Sequence, residues 1–468
     1  MQRFVTGGIL AQPPPQVHAG ARAAWTCAAG CARIARMKRF ARIAFAAALS
    51  AAAAAPAAQK PAAPADDPYE GFLALARCLM IARERFVETN SFDTLTQTAI
   101  DGFFAALDPY GRYLVSDEME AVERDDRGEF VGIGVTVSEE DGELVVNWPE
   151  PGSPAFRAGV RMGDVIERID GLRAADLGFD AAVASIQGPE SSWVELDVLH
   201  EDGVRERIRV RRSAQRVPTV QSAHVVSNGV GYVCVTQFGE STTAELAVAL
   251  ARLRREADPL RGLVLDLREN PGGLLEQAIR VAGLFLPEKT LIATTRGRVP
   301  KEDDREFRTA AAGPYRDVPL AVLVNEGSAS ASEFVSAALR DAGRAKLVGA
   351  HTFGKASVQS FFSVPERPGH AVKLTTAHYY TPKGELIHGK GLEPDVSVPQ
   401  TGAEFWQATL KRVAETHPEL AQTNTLERLS AEPDRPLDAA VELLSAPADA
   451  GEDSGEAEPP PVPEADAA

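Results

Sequence analysis

One serine and one lysine stand 25 residues apart in this sequence, each in a glycine-bearing context. Ser330 lies within residues 325–333, and Lys355 lies within residues 351–359. A serine hydroxyl becomes a good nucleophile only when a base takes its proton. A lysine can be that base if burial lowers its pKa by about three to four units, towards 7. The pair therefore predicts a hydrolase whose nucleophile is activated by lysine rather than by histidine.

The segment around Ser330 predicts an exposed nucleophile. An apolar strand over residues 320–324, a glycine turn and a helical stretch over 331–339 would place Ser330 at a strand-to-helix turn. The N–H of Ala331 could then point at the oxyanion that develops during acyl transfer. Ser328 and Ser332 remain rivals for the same role on the residues alone.

The surroundings of Lys355 favour a base with a lowered pKa. Several apolar residues flank it, and Gln359 follows four residues later. A step of four places Lys355 and Gln359 on one face of a strand or of a helix, so the neutral amide could orient the amine. An ordinary surface lysine is the alternative. His351 is the rival base, and it lacks an obvious acid partner nearby in the sequence.

Residues 270–273 follow an apolar run that ends in Asp266-Leu267-Arg268. The sequence there is Asn-Pro-Gly-Gly, which gives bare backbone that could complete an oxyanion site with the amide of Ala331. Taken by itself, this motif is better explained as a simple tight turn.

Composition limits the classes of function. The formal charge is −17, and the acidic body argues against nucleic acid as a partner. No cofactor or metal is expected. Cys27 and Cys31 have no cluster of His or acidic residues near them, which argues against a metal site there. Cys78 and Cys234 are expected to be buried thiols in different domains.

The N-terminal region predicts export. Residues 1–60 carry eight Lys or Arg and no acid. A basic segment, an apolar run and small residues at 55–57 form the pattern of a cleaved signal peptide, with the true start at Met37. We therefore expect a periplasmic or cell-envelope location.

The chain is expected to be an α/β multidomain protein. The predicted core is a layered sheet with helices, into which a small β domain is inserted. The boundaries are a leader and signal peptide (1–60), a helical region (68–127), the β domain (128–212), the α/β core (213–400), a C-terminal helical segment (401–430) and an acidic disordered tail (431–468).

The β domain resembles a permuted PDZ domain of bacterial proteases. The resemblance rests on FVGIG at 130–134, GSPA at 152–155 and GDVI at 163–166, in that order. It implies that the backbone of Val131, Gly132, Ile133 and Gly134 binds the carboxylate of an extended peptide.

The larger pattern resembles carboxyl-terminal processing peptidases, also called tail-specific proteases. Four motifs stand in that family's order: LDLRENPGG at 265–273, GSASASE at 327–333, TFGK at 352–355 and GKGLEPD at 389–395. The resemblance covers about residues 70–400. It implies Ser330 as nucleophile, Lys355 as base, Gln359 as orienting residue, and the backbone of Gly272 and Ala331 as oxyanion hole.

Two further positions bear on the resemblance. Asp341 matches an acidic position in some members of the family, but it could equally pair with Arg344 at a helix end. Ala356 stands where a glycine is common, and its methyl group could narrow the approach to the base.

The resulting expectation is an exported serine endopeptidase that cleaves proteins near their C-termini. Its PDZ domain would capture the substrate tail and gate activity. Substrates are proteins or peptides with accessible C-termini, and a regulatory adaptor or lipoprotein and a homo-oligomer are left open as partners. A catalytically silent PDZ adaptor and a Ser–His esterase using His351 are the alternatives.

Overall fold

The computed structural model describes residues 4–5, 68–89, 91–126, 129–216, 218–420 and 433–445. The chain divides into two compact units, one of residues 12–106 and one of residues 1–11 with 107–468. Apart from Phe4 and Val5, the expected leader, signal peptide and start site lie outside the described residues, as do Cys27 and Cys31.

The smaller unit contains two helices, α1 (Pro68–Arg85) and α2 (Phe92–Ala105). Ser91 caps α2, because its hydroxyl accepts a hydrogen bond from the amide of Thr94 at 3.4 Å. Cys78 on α1 is exposed, so the expectation that it is buried was wrong. No described helix has the length and apolarity to cross a membrane.

The first sheet of the larger unit has seven strands. The sheet order is β1-β4-β5-β6-β8-β9, with β7 paired to β6. The elements of this region are β1 (Phe4–Val5), β2 (Arg112–Leu114), α3 (Ser116–Asp126), β3 (Glu129–Gly132), β4 (Val135–Glu140), β5 (Glu143–Pro149), α4 (Pro154–Ala158), β6 (Val165–Ile169), β7 (Leu172–Arg173), α5 (Ala174–Leu177), α6 (Phe179–Ile186), β8 (Trp193–Leu199), β9 (Arg205–Arg211) and β10 (Ser213–Arg216).

Local signals explain why these elements form. Ser153 caps α4 and Gly159 ends it in the left-handed conformation, as the sequence predicts. Inward-facing Val and Ile side chains of β4, β6 and β8 then pack on α6 in one core. The strands β3 and β10 pair with each other where the chain enters and leaves this β domain.

The α/β core has two sheets. A six-stranded sheet runs in the order β11-β12-β13-β16-β17-β20, and a second sheet runs β15-β14-β19-β18 with β2 on β19. Its elements are β11 (Val220–Val225), β12 (Val230–Val235), α7 (Thr242–Glu256), β13 (Gly262–Asp266), α8 (Leu275–Gly283), β14 (Leu291–Gly297), α9 (Pro300–Asp303), β15 (Arg305–Arg308), β16 (Leu320–Val324), α10 (Ala331–Asp341), β17 (Ala345–Gly349), β18 (Ser357–Ser363), β19 (Ala371–Tyr380), β20 (Val396–Ser397), α11 (Gly402–Thr416) and α12 (Arg435–Ser445).

Helices cover both faces of the six-stranded sheet. Strands β12, β13, β16, β17 and β20 are parallel neighbours, and the apolar runs of β13 and β16 are buried on both sides. Helices α7, α8 and α10 pack on one face. The predicted α/β fold with layered sheets is confirmed.

Helix α12 covers the opposite face of that sheet, through Leu437 and Ala440. The expectation of a disordered tail from residue 431 was therefore wrong for residues 435–445. Their apolar side chains repeat at helical spacing and are buried against the sheet, which offsets the entropy of ordering them. Residues 446–468 lie outside the described part.

Candidate active site

Ser330 lies at the junction of β16 and α10 in a strained backbone conformation. Its φ is 56° and its ψ is −116°, a region that residues other than glycine rarely adopt. The carboxylate of Glu333 accepts a hydrogen bond from the Ser330 amide at 2.9 Å. A strained residue at a strand-to-helix turn is the backbone setting in which hydrolases hold a nucleophilic serine.

The neighbouring serines are buried and hydrogen-bonded. The hydroxyl of Ser328 donates to the carbonyl of Leu267 at 2.7 Å, and that of Ser332 donates to the carbonyl of Asn270 at 2.9 Å. Both residues are 0% exposed, whereas Ser330 is half-buried. Of the three candidate nucleophiles, only Ser330 therefore presents a hydroxyl that a substrate could reach.

Lys355 is half-buried, and its Nζ lies 4.8 Å from the centre of the Tyr110 ring. Burial lowers the pKa of Lys355, the charge of Lys373 lowers it further, and the charge of Glu333 opposes both effects. Within the described part of the chain, Nζ makes no hydrogen bond to Ser330 or to Gln359. In this conformation the amine thus rests on an aromatic ring.

Glu333 joins the segments that carry Ser330 and Lys355. Besides the amide of Ser330, its carboxylate accepts hydrogen bonds from the amides of Gly354 and Lys355, each at 2.8 Å, and from the Thr352 hydroxyl at 2.5 Å. Burial raises the pKa of Glu333, and these donors oppose the rise. The sequence reasoning missed this residue, although Ser330-x-x-Glu333 is the spacing of a capping box.

The structure does not bring the amide of Gln359 to Lys355. The Nε2 of Gln359 donates to the hydroxyls of Ser357 at 2.9 Å and Thr375 at 3.1 Å. Lys355 precedes β18, and a register shift falls between Val358 and Gln359. The step of four residues therefore crosses a β-bulge, which breaks the alternation on which the shared face depends.

Gln359 instead connects indirectly to the loop of Tyr110. Thr375, which accepts from Gln359, also hydrogen-bonds to Asp108. The Asp108 carboxylate accepts from the amides of Tyr110 and Gly111, each at 2.7 Å. Burial raises the pKa of Asp108, but these hydrogen bonds outweigh it and hold that pKa below its usual value. Tyr110 and Asp108 were not singled out as site residues by the sequence.

The glycine loop after β13 packs directly on Ser330. A Cβ on Gly272 would lie 2.8 Å from the Cβ of Ser330, and the φ of Gly272 is 104°. The Gly272 amide donates to the Oδ1 of Asn270 at 2.9 Å. The amides of Ala331 and Gly273 donate to no acceptor in the described ranges. The two predicted oxyanion segments are thus adjacent, with the Gly272 amide already engaged.

The other predicted residues lie in simpler settings. His351 is about half exposed, with Nε2 3.7 Å from the Glu393 carboxylate. Asp341 pairs with Arg340 at 3.1 Å and with Lys383 at 3.8 Å, and not with Arg344 as considered above. Arg344 donates to backbone carbonyls instead, including that of Tyr315 at 2.9 Å.

Two other expectations concern small side chains. The methyl group of Ala356 is fully buried in the core, so it does not project into the approach to Lys355. Cys234 is partly buried, and burial raises the pKa of its thiol to about 12. No three His, Cys, Asp or Glu side chains of the described residues come together as metal ligands would.

The β domain carries a shallow apolar groove between β4 and α6. Gly132, Ile133 and Gly134 line it from the segment that leads into β4, and Val183 and Ile186 line it from α6. The amides of Ile133 and Gly134 have no acceptor in the part of the chain that the structure describes. Val131, named with them from the sequence, pairs instead with Ala214 in the ribbon of β3 and β10.

A PDZ-like domain joined to an α/β core, with a serine at a strand-to-helix turn, defines the class of protein. The model of peptidase family S41 matches residues 229–398, and the PDZ domain model matches residues 145–199.

Named relatives agree with that class. A carboxy-terminal-processing protease of Bartonella bacilliformis is 37% identical over 321 residues, which are 68% of this chain and 73% of the relative. A probable CtpA-like serine protease of Staphylococcus aureus is 35% identical over 323 residues, 68% of this chain and 63% of the relative. The solved photosystem II D1 C-terminal processing protease is 28% identical and covers 70% of this chain and 92% of its own, with a TM-score of 0.43.

The chain belongs to peptidase family S41, the carboxy-terminal-processing proteases, and contains a PDZ domain. It spans 63% of the length of the Staphylococcus aureus relatives.

Proposed function

We propose that this chain is an exported serine endopeptidase that cleaves protein substrates near their C-termini. The observation that carries the proposal is the meeting of two candidate catalytic segments on one buried carboxylate. Glu333 holds the amides of Ser330 and Lys355 at 2.9 and 2.8 Å, so the strained serine and the partly desolvated lysine belong to one structural unit.

In the proposed reaction, the neutral amine of Lys355 takes the proton of the Ser330 hydroxyl as Oγ attacks the scissile carbonyl carbon. The resulting oxyanion is stabilised by the Ala331 amide and by the glycine loop at Gly272. The lysine then gives its proton to the leaving amine, and an acyl-serine remains. Water, deprotonated by the same amine, hydrolyses the ester and releases the shortened protein.

The amine must leave the ring of Tyr110 to act on Ser330. We therefore propose that the described conformation is a resting state. The hydrogen-bonded path from Gln359 through Thr375 and Asp108 supports a role for Gln359 in positioning Tyr110 and, through it, the amine. Direct orientation of Lys355 by Gln359 would require a different local conformation.

The groove of the PDZ domain is proposed to capture the substrate tail. The unengaged amides of Ile133 and Gly134 could bind a terminal carboxylate, while the edge of β4 receives the extended chain. In the structure that edge already pairs with β1, where Val5 opposes Val137. Docking of a tail is proposed to gate activity, and self-association or a regulatory adaptor could add to this control.

Paired substrates would test tail capture. An unfolded protein with a free C-terminal carboxylate and the same protein with a C-terminal amide differ only at the group that the groove would bind. We expect the free acid to be cleaved with a several-fold higher kcat/KM, and the difference to vanish when residues 128–212 are deleted. Equal cleavage of both substrates by the intact chain would reject tail capture, and no cleavage of either would favour the silent adaptor.

Export has its own test. Sequencing the N-terminus of the protein from the envelope fraction of cells should show that residues 38–55 are missing. An intact leader on that protein would contradict cleavage of a signal peptide.

A further inference from the structure

The PDZ domain has a second pocket, separate from its peptide groove. This open pocket has a volume of about 490 Å³ and lies between α4 and the end of β9. Four arginines line it, Arg157, Arg209, Arg211 and Arg212, and none of its lining residues lines the groove between β4 and α6. We call it the arginine pocket.

The charges of the arginine pocket are poorly compensated. Arg157, Arg209 and Arg211 are exposed and form no ion pair with any described residue. Arg209 lies over the Trp193 ring at 4.7 Å, and Arg211 donates to the carbonyl of Ser191 at 3.3 Å. Uncompensated guanidinium groups around one cavity favour an anionic ligand, because they bind carboxylates with strong, charge-assisted hydrogen bonds.

Arg212 makes the pocket more than a surface patch. Its side chain is only 7% exposed, and its nearest carboxylate oxygen, on Asp170, is 4.0 Å away. Its guanidinium donates to the carbonyls of Ser185, Ile186 and Trp193 at 2.7 to 2.9 Å. These hydrogen bonds fix the guanidinium in place, and the long ion pair to the exposed Asp170 compensates its charge only weakly.

Two other arginines of β9 form ion pairs with carboxylates. On the same face of β9, Arg205 pairs with Glu167 at 2.9 Å and Arg207 pairs with Asp197 at 2.6 Å. The ion pairs stop where the pocket begins, at Arg209. The positive charge is thus concentrated at one end of β9, in a protein whose net charge is −17.

The chain itself contains a segment of complementary charge. Residues 446–468 include seven Asp or Glu and no Lys or Arg. They follow α12, and 23 extended residues reach about 80 Å. A compact body of the size of the larger unit is only about 50 Å across. The segment can therefore reach the pocket from the end of α12.

We propose that the arginine pocket binds the acidic segment 446–468 of the same chain. Carboxylates of the segment occupy the space between Arg157 and Arg211, with Arg212 at the base. Ser213 lines the pocket and begins β10, so the bound segment touches the ribbon through which the chain leaves the PDZ domain. This proposal does not depend on the catalytic roles proposed above.

The test measures binding of a labelled synthetic peptide of residues 446–468 by fluorescence anisotropy. The receptor is the full chain with all seven acids of that segment changed to the matching amides, so its own segment cannot compete. We expect saturable binding at low salt that weakens steeply as salt rises. The intact chain should bind the peptide at least tenfold more weakly, because its tethered segment competes at about millimolar effective concentration.

Two matched double variants of the amide-substituted chain locate the site. Arg157→Gln with Arg211→Gln should weaken binding at least tenfold. Arg205→Gln with Arg207→Gln removes the same charge outside the pocket and should change binding less than threefold. Circular dichroism checks that both variants fold, and mass spectrometry checks that the peptide stays intact.

Three results would overturn the proposal. Absence of saturable binding at low salt would show that the pocket does not take this ligand. Equal weakening in both double variants would reduce the effect to general charge attraction. Equal binding by the intact and the amide-substituted chains would show that the tethered segment does not occupy the pocket, which would then serve an acidic partner from outside.

Discussion

The side chain of Lys355 is subject to opposing influences at the residue scale. Burial and the charge of Lys373 lower its pKa, while Glu333 raises it. Only the neutral amine can take a proton, so activity should rise as the pH passes through the pKa of Lys355. That rise should come at a pH below 10.5, the ordinary pKa of a lysine.

Changing Lys373→Gln provides a test of that reasoning. Removing a nearby positive charge favours protonated Lys355, so its pKa should rise and the ascending limb of the kcat/KM–pH profile should move to higher pH. Lys346→Gln removes the same charge from an exposed site and should leave the limb in place. A limb that moves to lower pH, or that does not move in Lys373→Gln, would contradict Lys355 as the base.

Glu333 is expected to matter for both stability and activity. Its two oxygens accept four hydrogen bonds, and a glutamine would present an NH₂ group to two of those donors. We expect Glu333→Gln to lower the free energy of unfolding by about 3 kcal/mol, measured with urea, and to lower kcat/KM as well. Glu326→Gln, at an exposed position in the turn before α10, should change stability by less than about 0.5 kcal/mol. Equal effects of the two changes would refute this role.

At the scale of elements, the contact between the glycine loop after β13 and the start of α10 shapes the site around Ser330. Gly272 needs both a left-handed φ and the space beside Ser330. We expect Gly272→Ala to lower kcat at least about a hundredfold, because its Cβ would lie 2.8 Å from the Cβ of Ser330 and 2.9 Å from the Ala331 amide and would displace both. That loss is comparable to the loss of an oxyanion donor. Gly343→Ala has a similar backbone requirement, with a φ of 65°, but its Cβ would meet no neighbour within 4 Å. It should cost stability only, so a comparable loss of kcat there would mean that strain alone explains the effect.

Asp434, the residue before helix α12, is bonded to the segment that joins β13 to this loop. The Asp434 carboxylate hydrogen-bonds to Arg268 at 2.7 Å and to Arg412, and the two guanidinium groups help lower the pKa of Asp434 to about 2, although burial acts in the opposite direction. The folded pKa lies below that of an unfolded aspartate. The stabilisation is therefore present above about pH 4 and is lost as the pH falls through 2.

Asp434→Asn would leave two buried cations without that partner. We expect the free energy of unfolding at pH 7 to fall by about 3 to 5 kcal/mol. The difference from the unchanged chain should shrink by about 2 kcal/mol on acidification from pH 6 towards 2. Asp438→Asn, on the exposed side of the same helix, is the control. A difference that is constant with pH would contradict the ionic role.

The sequence anticipated the elements that local patterns determine. The strand over residues 320–324 and the start of α10 at Ala331 follow from an apolar run, a glycine turn and a helical stretch. It missed α12, because the acidic residues beyond 445 dominate the composition of the whole tail. It also could not foresee the bulge before Gln359 or the approach of Tyr110 to Lys355, since both depend on pairings between distant segments.

At the scale of the whole molecule, the PDZ domain packs on the C-terminal helical region. Trp148 and Met162 of the PDZ domain share a core with Ala414 and Leu420, and the Met162 amide donates to the Leu420 carbonyl at 3.2 Å. Binding of a substrate tail or of the acidic segment would therefore involve a domain that is packed against the C-terminal helical region. The family assignment and the PDZ domain rest on sequence relatives, whereas the catalytic roles rest on the geometry around Glu333.

The rate of cleavage of one unfolded protein with a free C-terminus tests the catalytic roles of Ser330 and Lys355 together. The rates to compare are those of the intact chain, Ser330→Ala, Lys355→Ala, His351→Ala and the exposed-lysine control Lys390→Ala, all checked for folding. We expect the first two variants to lose at least about a thousandfold in kcat/KM and the last two to stay within a few-fold of the intact chain. Activity that survives in folded Lys355→Ala but is lost in His351→Ala would contradict a lysine-activated serine.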